Sequence, residues 1–288
     1  MPELPEVEVV KRSIEKIIHN LTIKNIKIYN RNLRYKIEAK KLKNLINTKV
    51  LLVKRRSKYI LINLDNKRTI LLHLGMSGKI IIVNSKQQKI RSSFYYALTN
   101  NKDKHNHVIF EFQNNFKLIY NDVRRFGFLK VINTNNIYKN SHLKTLGPEP
   151  LSSDFNLKYF KINIKNKKQS IKDCLMNQKF VSGLGNIYVN EVLFQSKINP
   201  LKKSKNLTNK QIFNILKNTK LILKKAVEKG GSSIKDFNDT EGNTGKFQDF
   251  FRVYGRDNKA CRKMKCNGVV KKIRVSNRST FYCNICQK

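Results

Sequence analysis

Five cysteines occur in 288 residues, and four of them fall in the last 28. Cys261 and Cys266 have four residues between them, Cys283 and Cys286 have two, and sixteen separate the pairs. Two close thiolate pairs at the ends of a hairpin form the ligand set of a tetrahedral zinc ribbon. The segment between them suits a hairpin: Val269-Val270, Ile273 and Val275, then Asn277, then Thr280-Phe281-Tyr282. So short a segment buries too little surface to fold alone, so one structural Zn²⁺ is expected to order it. Cys174 stands apart and reads as a small buried hydrophobe. The ribbon also carries Lys263, Lys265, Lys271, Lys272, Arg274 and Arg278, a set suited to gripping phosphates.

The rest of the chain carries the same charge. Sixty Lys and Arg against 19 Asp and Glu give a net charge of +41, a field that attracts polyanions and points to a nucleic-acid partner. Part of the excess follows from a composition crowded with Lys, Asn and Ile, the residues of A/T-rich codons. No run of 18 apolar residues occurs, so no membrane span is expected. The start, Met1-Pro2-Glu3-Leu4-Pro5-Glu6, is acidic and has no apolar stretch behind it, unlike a secretory signal. A cytoplasmic location is the expectation.

The elements that must position these groups follow from periodicity. Residues 2 to 21 predict an amphipathic helix, with Val7, Val10, Ile14, Ile17 and Ile18 at helical spacing and Pro5, Glu6 and Glu8 suited to its first turns. From about residue 22 to 133, short β-branched runs predict an antiparallel sandwich or barrel: 51–53, 59–64, 69–74, 79–83, 108–112 and 116–120. The polar stretch from Asn84 to His107 reads as a long loop. Asn133 to Ser153, with Gly147, Pro148 and Pro150, reads as a linker. The pattern then turns helical. Its clearest helix spans about 209 to 228, opened by a Thr208/Gln211 capping box with a Leu207/Ile212 staple and closed by Gly230-Gly231.

Five motifs give this frame a function. Pro2 to Glu8, His73-Leu74-Gly75-Met76-Ser77-Gly78, Asp122-Val123-Arg124-Arg125-Phe126-Gly127, Gly183-Leu184-Gly185-Asn186-Ile187-Tyr188 and Arg278-Ser279-Thr280-Phe281-Tyr282-Cys283 occur in order over nearly the whole chain. Together they resemble the formamidopyrimidine-DNA glycosylase family. The resemblance implies an α+β fold: an N-terminal antiparallel β-sandwich with an N-terminal helix at 1–133, a linker at 134–153, a helix–two-turn–helix domain at 154–254 with a lesion-capping loop at 230–246, and a zinc-ribbon finger at 255–288. The implied function is base-excision repair, with damaged double-stranded DNA as partner and oxidised purines such as 8-oxoguanine and formamidopyrimidines as substrates. No cofactor beyond Zn²⁺ is implied, and a monomer associated with the nucleoid through DNA is the expectation.

The resemblance also assigns roles. Removal of Met1 leaves Pro2 with a secondary amine of pKa near ~8, partly neutral where a lysine is not. Attack on the sugar C1′ gives a Schiff base, followed by β,δ-elimination. Glu3 is the matching general acid or base, and Glu6 holds this terminus. Lys58 binds the phosphate beside the lesion, and Arg278 belongs to the same catalytic set. Excision requires the base to leave the stack. Met76, Arg124 and Phe126 are implied to fill the gap, Phe126 as a wedge and Arg124 as donor to the orphaned cytosine. His105, Arg125 and Asn186 match phosphate-contacting positions, and Lys172 matches a lysine of the pocket. Read without their motifs, Met76 and Phe126 would pass for core residues. Two departures stand out: four residues inside the first knuckle where two are familiar, and Val123 where Pro is common. Two rival readings remain. An endonuclease VIII type acting on oxidised pyrimidines is disfavoured by Leu4 and Met76. A non-catalytic zinc-ribbon DNA-binding protein is disfavoured by Pro2 and Glu3.

Overall fold

Helix α1 (Leu4–Ile18) opens the chain, with Pro5 in its first turn and Leu4, Val7, Val10, Ile14 and Ile18 all buried. It stops short of the expected residue 21: His19 already leaves the helical region with ψ 133°, and Asn20 after it takes a left-handed φ of 62°. The computed structural model describes residues 2–84, 86, 89–90, 103–232 and 247–288. The chain divides into two compact units, Met1–Lys144 with Lys229–Lys246, and Thr145–Glu228 with Phe247–Lys288.

In the first unit two antiparallel sheets face each other. One runs β2 (Val50–Arg56), β3 (Tyr59–Leu64), β4 (Arg68–His73), β9 (Phe128–Asn133). The other runs β1 (Ile23–Ile28), β7 (Asn106–Phe112), β8 (Lys117–Asp122), β5 (Gly78–Val83), β6 (Lys89–Ile90). A single apolar cluster joins Ile60, Ile62, Ile70 and Leu72 of one sheet to Ile80, Ile82, Phe110 and Leu118 of the other and to the buried face of α1. Each such side chain taken fully out of water contributes about 1.5–3 kcal/mol. The expected sandwich is therefore present. A short helix α2 (Ala39–Lys43) packs Leu42 into the same core.

The polar stretch from 84 to 107 is not loop throughout. It holds the short strand β6, a 3₁₀ turn at Asp103–His105 and the start of β7 at Asn106. Residues 85, 87–88 and 91–102 lie outside those described. Residues 134–153 have order of their own, with a 3₁₀ turn at Thr134–Lys139, a buried Leu143 and a Gly147 N–H donating to the Gln178 carbonyl.

The second unit holds α3 (Leu157–Ile164), α4 (Ile171–Met176), α5 (Asn186–Gln195) and α6 (Asn209–Glu228). Helix α6 begins as the sequence predicts. Gln211 N–H donates to Thr208 Oγ1 at 3.3 Å, and Thr208 N–H donates to Gln211 Oε1 at 3.1 Å. The terminal hairpin pairs β10 (Val270–Val275) with β11 (Arg278–Cys283). Its two turn residues, Ser276 and Asn277, both have positive φ, as a tight turn with matching twist requires. Among the described residues, no helix is long and apolar enough to cross a membrane.

Candidate functional site

The N-terminus is fixed from two directions. Pro2, Glu3 and Glu6 are all buried. Glu6 Oε2 accepts from the Glu3 backbone N–H at 2.9 Å, its half of a capping box. Glu6 Oε1 accepts from the backbone N–H of Ser232 at 2.8 Å and from Ser232 Oγ at 2.9 Å. One carboxylate thus clamps residue 3 to the segment that follows α6. Gly231 stands against it at φ 80°, and a Cβ there would meet Glu6 Cγ at 3.1 Å. Of the loop expected at 230–246, residues 233–246 lie outside those described.

Lys58 is buried in the two-residue turn joining β2 to β3, next to Ser57 at φ 56°. Arg55 braces this turn against α1. Its Nε donates to Glu8 Oε2 at 2.9 Å, and its Nη1 donates to the Ser57 carbonyl at 2.9 Å. Burial works against the Glu8 carboxylate, but Arg55 and Arg12 outweigh it and hold the group below its usual range. The Lys58 charge is felt at His73. Burial, with Lys58, Arg34 and His142, lowers the His73 pKa to about 4. His73 is therefore neutral, and its Nδ1 accepts from the Gly75 N–H at 3.1 Å.

That bond starts the turn bearing Met76. Met76 is 42% exposed and Phe126 is 45% exposed, so neither is a core residue. The two turns that carry them touch. A Cβ on Gly75 would come within 2.4 Å of Gly127 N and of the Phe126 carbonyl carbon, so only glycine fits at this φ of 61°. The Arg124 guanidinium lies over the Phe126 ring, 4.6 Å from its centroid. Arg125, between them, is exposed and has φ 56°. Asp122, fully buried, joins the turns: Oδ1 accepts from Ser77 Oγ at 2.5 Å and Oδ2 from Gly127 N–H at 2.8 Å. The sequence motifs contain Ser77 and Asp122, but nothing in their spacing marks the pair as partners. His105, at the end of its 3₁₀ turn, is half-buried.

In the second unit, Lys172, Asn186 and Arg278 lie along one seam. Lys172 is 1% exposed. Its Nζ donates to Thr280 Oγ1 at 2.6 Å and to the Ser279 carbonyl at 3.1 Å, and burial lowers its pKa to about 8. Asn186, the first residue of α5, donates from Nδ2 to the same carbonyl at 2.9 Å. Arg278 precedes Ser279 and is exposed. The ribbon is seated further on α5, where Asn190 Oδ1 accepts from Phe281 N–H at 2.7 Å. Glu191 accepts from the backbone N–H groups of Arg252, Val253 and Tyr254 at 2.9, 3.0 and 2.9 Å. Burial raises its pKa, with these three bonds opposing.

Cys261, Cys266, Cys283 and Cys286 place their sulfurs within 4.8 Å of one another. The Cys261–Cys286 and Cys266–Cys283 separations are both 3.8 Å, and Cys266–Cys286 is 3.1 Å. Tetrahedral thiolates at a metal–sulfur distance of ~2.3 Å stand about 3.8 Å apart. All the separations are far too long for disulfides, whose sulfurs lie ~2.05 Å apart. Gly268 N–H points to Cys266 Sγ and Cys286 N–H to Cys283 Sγ, each at 3.4 Å, donors that favour thiolates. The four residues thus fit a metal ion despite the longer first knuckle.

Comparison with known proteins gives one answer over the whole chain. The formamidopyrimidine-DNA glycosylase N-terminal domain matches residues 1–129, and the formamidopyrimidine-DNA glycosylase H2TH domain matches residues 146–238. A formamidopyrimidine-DNA glycosylase of Dinoroseobacter shibae is 40% identical over 288 residues, covering all of both chains. One from Rickettsia bellii is 40% identical over 289 residues, again covering all of both. A Lactococcus lactis enzyme of this name, bound to DNA containing Fapy-dG, aligns over all of both chains with a TM-score of 0.85 at 34% identity. The wild-type Lactococcus lactis protein, of which the preceding one is a point mutant, aligns when bound to oxidised-pyrimidine DNA with a TM-score of 0.84 at 34% identity. With both of its halves matched and relatives at this identity over its full length, the chain belongs to the formamidopyrimidine-DNA glycosylase family, the glycosylases of bacterial base-excision repair.

Proposed function

We propose that this glycosylase excises oxidised purines from duplex DNA through the Pro2 amine and then cleaves the strand at the site it leaves. Once Met1 is removed, the lone pair of Pro2 nitrogen attacks C1′ of the damaged nucleotide. The bond from C1′ to the base breaks, and the base departs with a proton. Glu3 protonates the ribose ring oxygen as the ring opens, leaving a cationic iminium between Pro2 and C1′. The cation acidifies the C2′ hydrogens. Loss of one expels the 3′ phosphate, and a second elimination expels the 5′ phosphate. Because the amine is secondary, its iminium carries no N–H and stays charged at any pH.

The observation that carries this reading is the clamp on residue 3. Glu6 holds the start of the chain from two sides, so a nucleophile at residue 2 has a fixed place. Lys58, braced by Arg55 and Glu8, supplies a buried cation for the phosphate next to the lesion. Arg124 addresses the partner base, Phe126 and Met76 fill the vacated stack, and His105, Arg125, Asn186 and Arg278 contact phosphates. Lys172 acts through the ribbon and not through the base. Zn²⁺ held by the four cysteines would order the hairpin that presents Arg278.

Borohydride trapping tests the reading. The wild type should be captured on a duplex carrying 8-oxoguanine opposite cytosine, and a Pro2→Gly variant should lose most of that capture while keeping affinity for an abasic-site analogue. Full trapping by a protein whose Pro2 is acylated by an N-terminal tag would overturn it. The same assay with an oxidised pyrimidine decides the substrate branch. The Lactococcus lactis relative bound to oxidised-pyrimidine DNA shows why both lesions must be compared. Faster excision of the pyrimidine would favour the endonuclease VIII type.

A further inference from the structure

We propose that Ser77 is a positioning residue that sets discrimination between partner bases, by locking the turn of Met76 to the turn of Arg124 and Phe126. The proposal rests on the reading above that Arg124 addresses the base opposite the lesion.

The Ser77 hydroxyl does two things at once. It donates to Asp122 Oδ1 at 2.5 Å and accepts the backbone N–H of Arg124 at 2.9 Å. Its direction is thereby fixed, since its single hydrogen is spent on the carboxylate. The carboxylate itself is held from every side. Its second oxygen takes the Gly127 N–H at 2.8 Å, the Tyr120 hydroxyl lies 3.3 Å from that same oxygen, and the Asp122 carbonyl meets His107 Nε2 at 2.7 Å. Asp122 is the last residue of β8, so this anchor belongs to the sheet and not to either turn. Ser77 follows Met76 directly, and the residue whose N–H it accepts is Arg124. One hydroxyl therefore fixes the spacing between a stack-filling side chain and the guanidinium that reads the partner.

The second half of the coupling is the ring. The Arg124 guanidinium rests on Phe126, 4.6 Å from its centroid, while Gly127, next to Phe126, hangs from the same carboxylate as Ser77. Ring and guanidinium form one block that hangs from a buried carboxylate. Without the Ser77 hydroxyl, the Arg124 main chain loses its tie to the carboxylate, and the guanidinium loses its fixed height over the duplex. Affinity for phosphates does not depend on that height, but hydrogen-bond readout of a base edge does.

The experiment measures single-turnover excision of 8-oxoguanine opposite cytosine and opposite adenine for wild type, Ser77→Ala, Ser77→Thr and Arg124→Ala. The ratio of the two rates does not depend on how much protein is folded, so partial instability of a variant cancels. Ser77→Ala should narrow the cytosine-to-adenine ratio at least ~3-fold, part of the 5- to 150-fold that a bidentate base contact supplies. Ser77→Thr, which keeps the hydroxyl, should stay near the wild-type ratio. If Arg124→Ala narrows the ratio and Ser77→Ala leaves it unchanged, the proposal is wrong. A threonine variant that behaves like the alanine one also overturns it. If Arg124→Ala leaves the ratio unchanged, the reading beneath the proposal has failed, and the proposal falls with it.

Discussion

Lys172 Nζ and Asn186 Nδ2 donate to one acceptor, the carbonyl oxygen of Ser279, at 3.1 and 2.9 Å. The lysine comes from α4 and the asparagine from the start of α5, and both hold the residue that follows Arg278. Lys172→Met should therefore weaken binding to an abasic-site duplex by roughly 10-fold, the scale of one or two lost hydrogen bonds to a charged group. Bound metal should be unchanged, because the lysine touches none of the four cysteines. An unaltered dissociation constant in a titration at fixed salt would show that Arg278 needs no such support.

Glu6 accepts from the Glu3 N–H, the Ser232 N–H and the Ser232 hydroxyl, and is 1% exposed. A glutamine in its place has one acceptor oxygen and turns an N–H₂ toward donors. Glu6→Gln should cost about 1–3 kcal/mol of stability, the penalty for burying unmatched polar groups. It should also slow the trapping reaction far more than it weakens DNA binding, since the displaced group is the proposed nucleophile. Ser232→Ala, which removes one of the three donors, should do the same to a smaller degree. Chemical denaturation and single-turnover trapping together check both; equal losses in binding and trapping would argue against a clamp.

Purified protein should contain one zinc per chain by elemental analysis. Cys283→Ser should lower that content and weaken DNA binding by at least ~10-fold, because metal binding and folding are coupled in so small a unit. Cys174→Ser should leave zinc content alone, its thiol being buried in the helical part of the same unit. A wild-type preparation that binds DNA fully without metal would contradict this.

His73 makes stability depend on pH. Its folded pKa is about 4 against an ordinary 6.5. Above pH 6.5 the ring is neutral in both states. As pH falls from 6.5 toward 4, the unfolded chain takes up a proton that the folded chain refuses, so stability drops across that window, by at most about 3 kcal/mol. His73→Asn keeps an acceptor for the Gly75 N–H and does not titrate. Its melting temperature should be lower near neutrality, where ring packing with Tyr59 and Phe128 is lost, yet fall less steeply with acid. Parallel slopes for variant and wild type would rule His73 out as the titrating group.

Local signals were the legible ones. The Thr208/Gln211 box, the sequence period of α6 and the cysteine spacing each need only a few neighbouring residues, and each appears where the sequence places it. Strands β1 and β9 do not stand out in the sequence, because Ile23-Lys24-Asn25-Ile26 and Phe128-Leu129-Lys130-Val131 mix lysine into short apolar runs. Residues 134–153 read as linker from Pro and Gly, yet their backbone bonds go to residues 178 and 182. The Ser77–Asp122 bond spans 45 residues and leaves no periodic trace in the chain. Lys172 could be matched to a family lysine, but its burial against β11 depends on packing that no motif encodes.

The bond between Glu6 and Ser232 spans 226 positions, and this bears on how the protein is made. The ribosome delivers the amine first and its anchor only after most of the chain has been translated. A polypeptide released before residue 232 keeps the Glu3–Glu6 bond but lacks the second side from which Glu6 is held. On the role proposed for Pro2, prematurely ended products should therefore carry a less firmly held amine than the full chain.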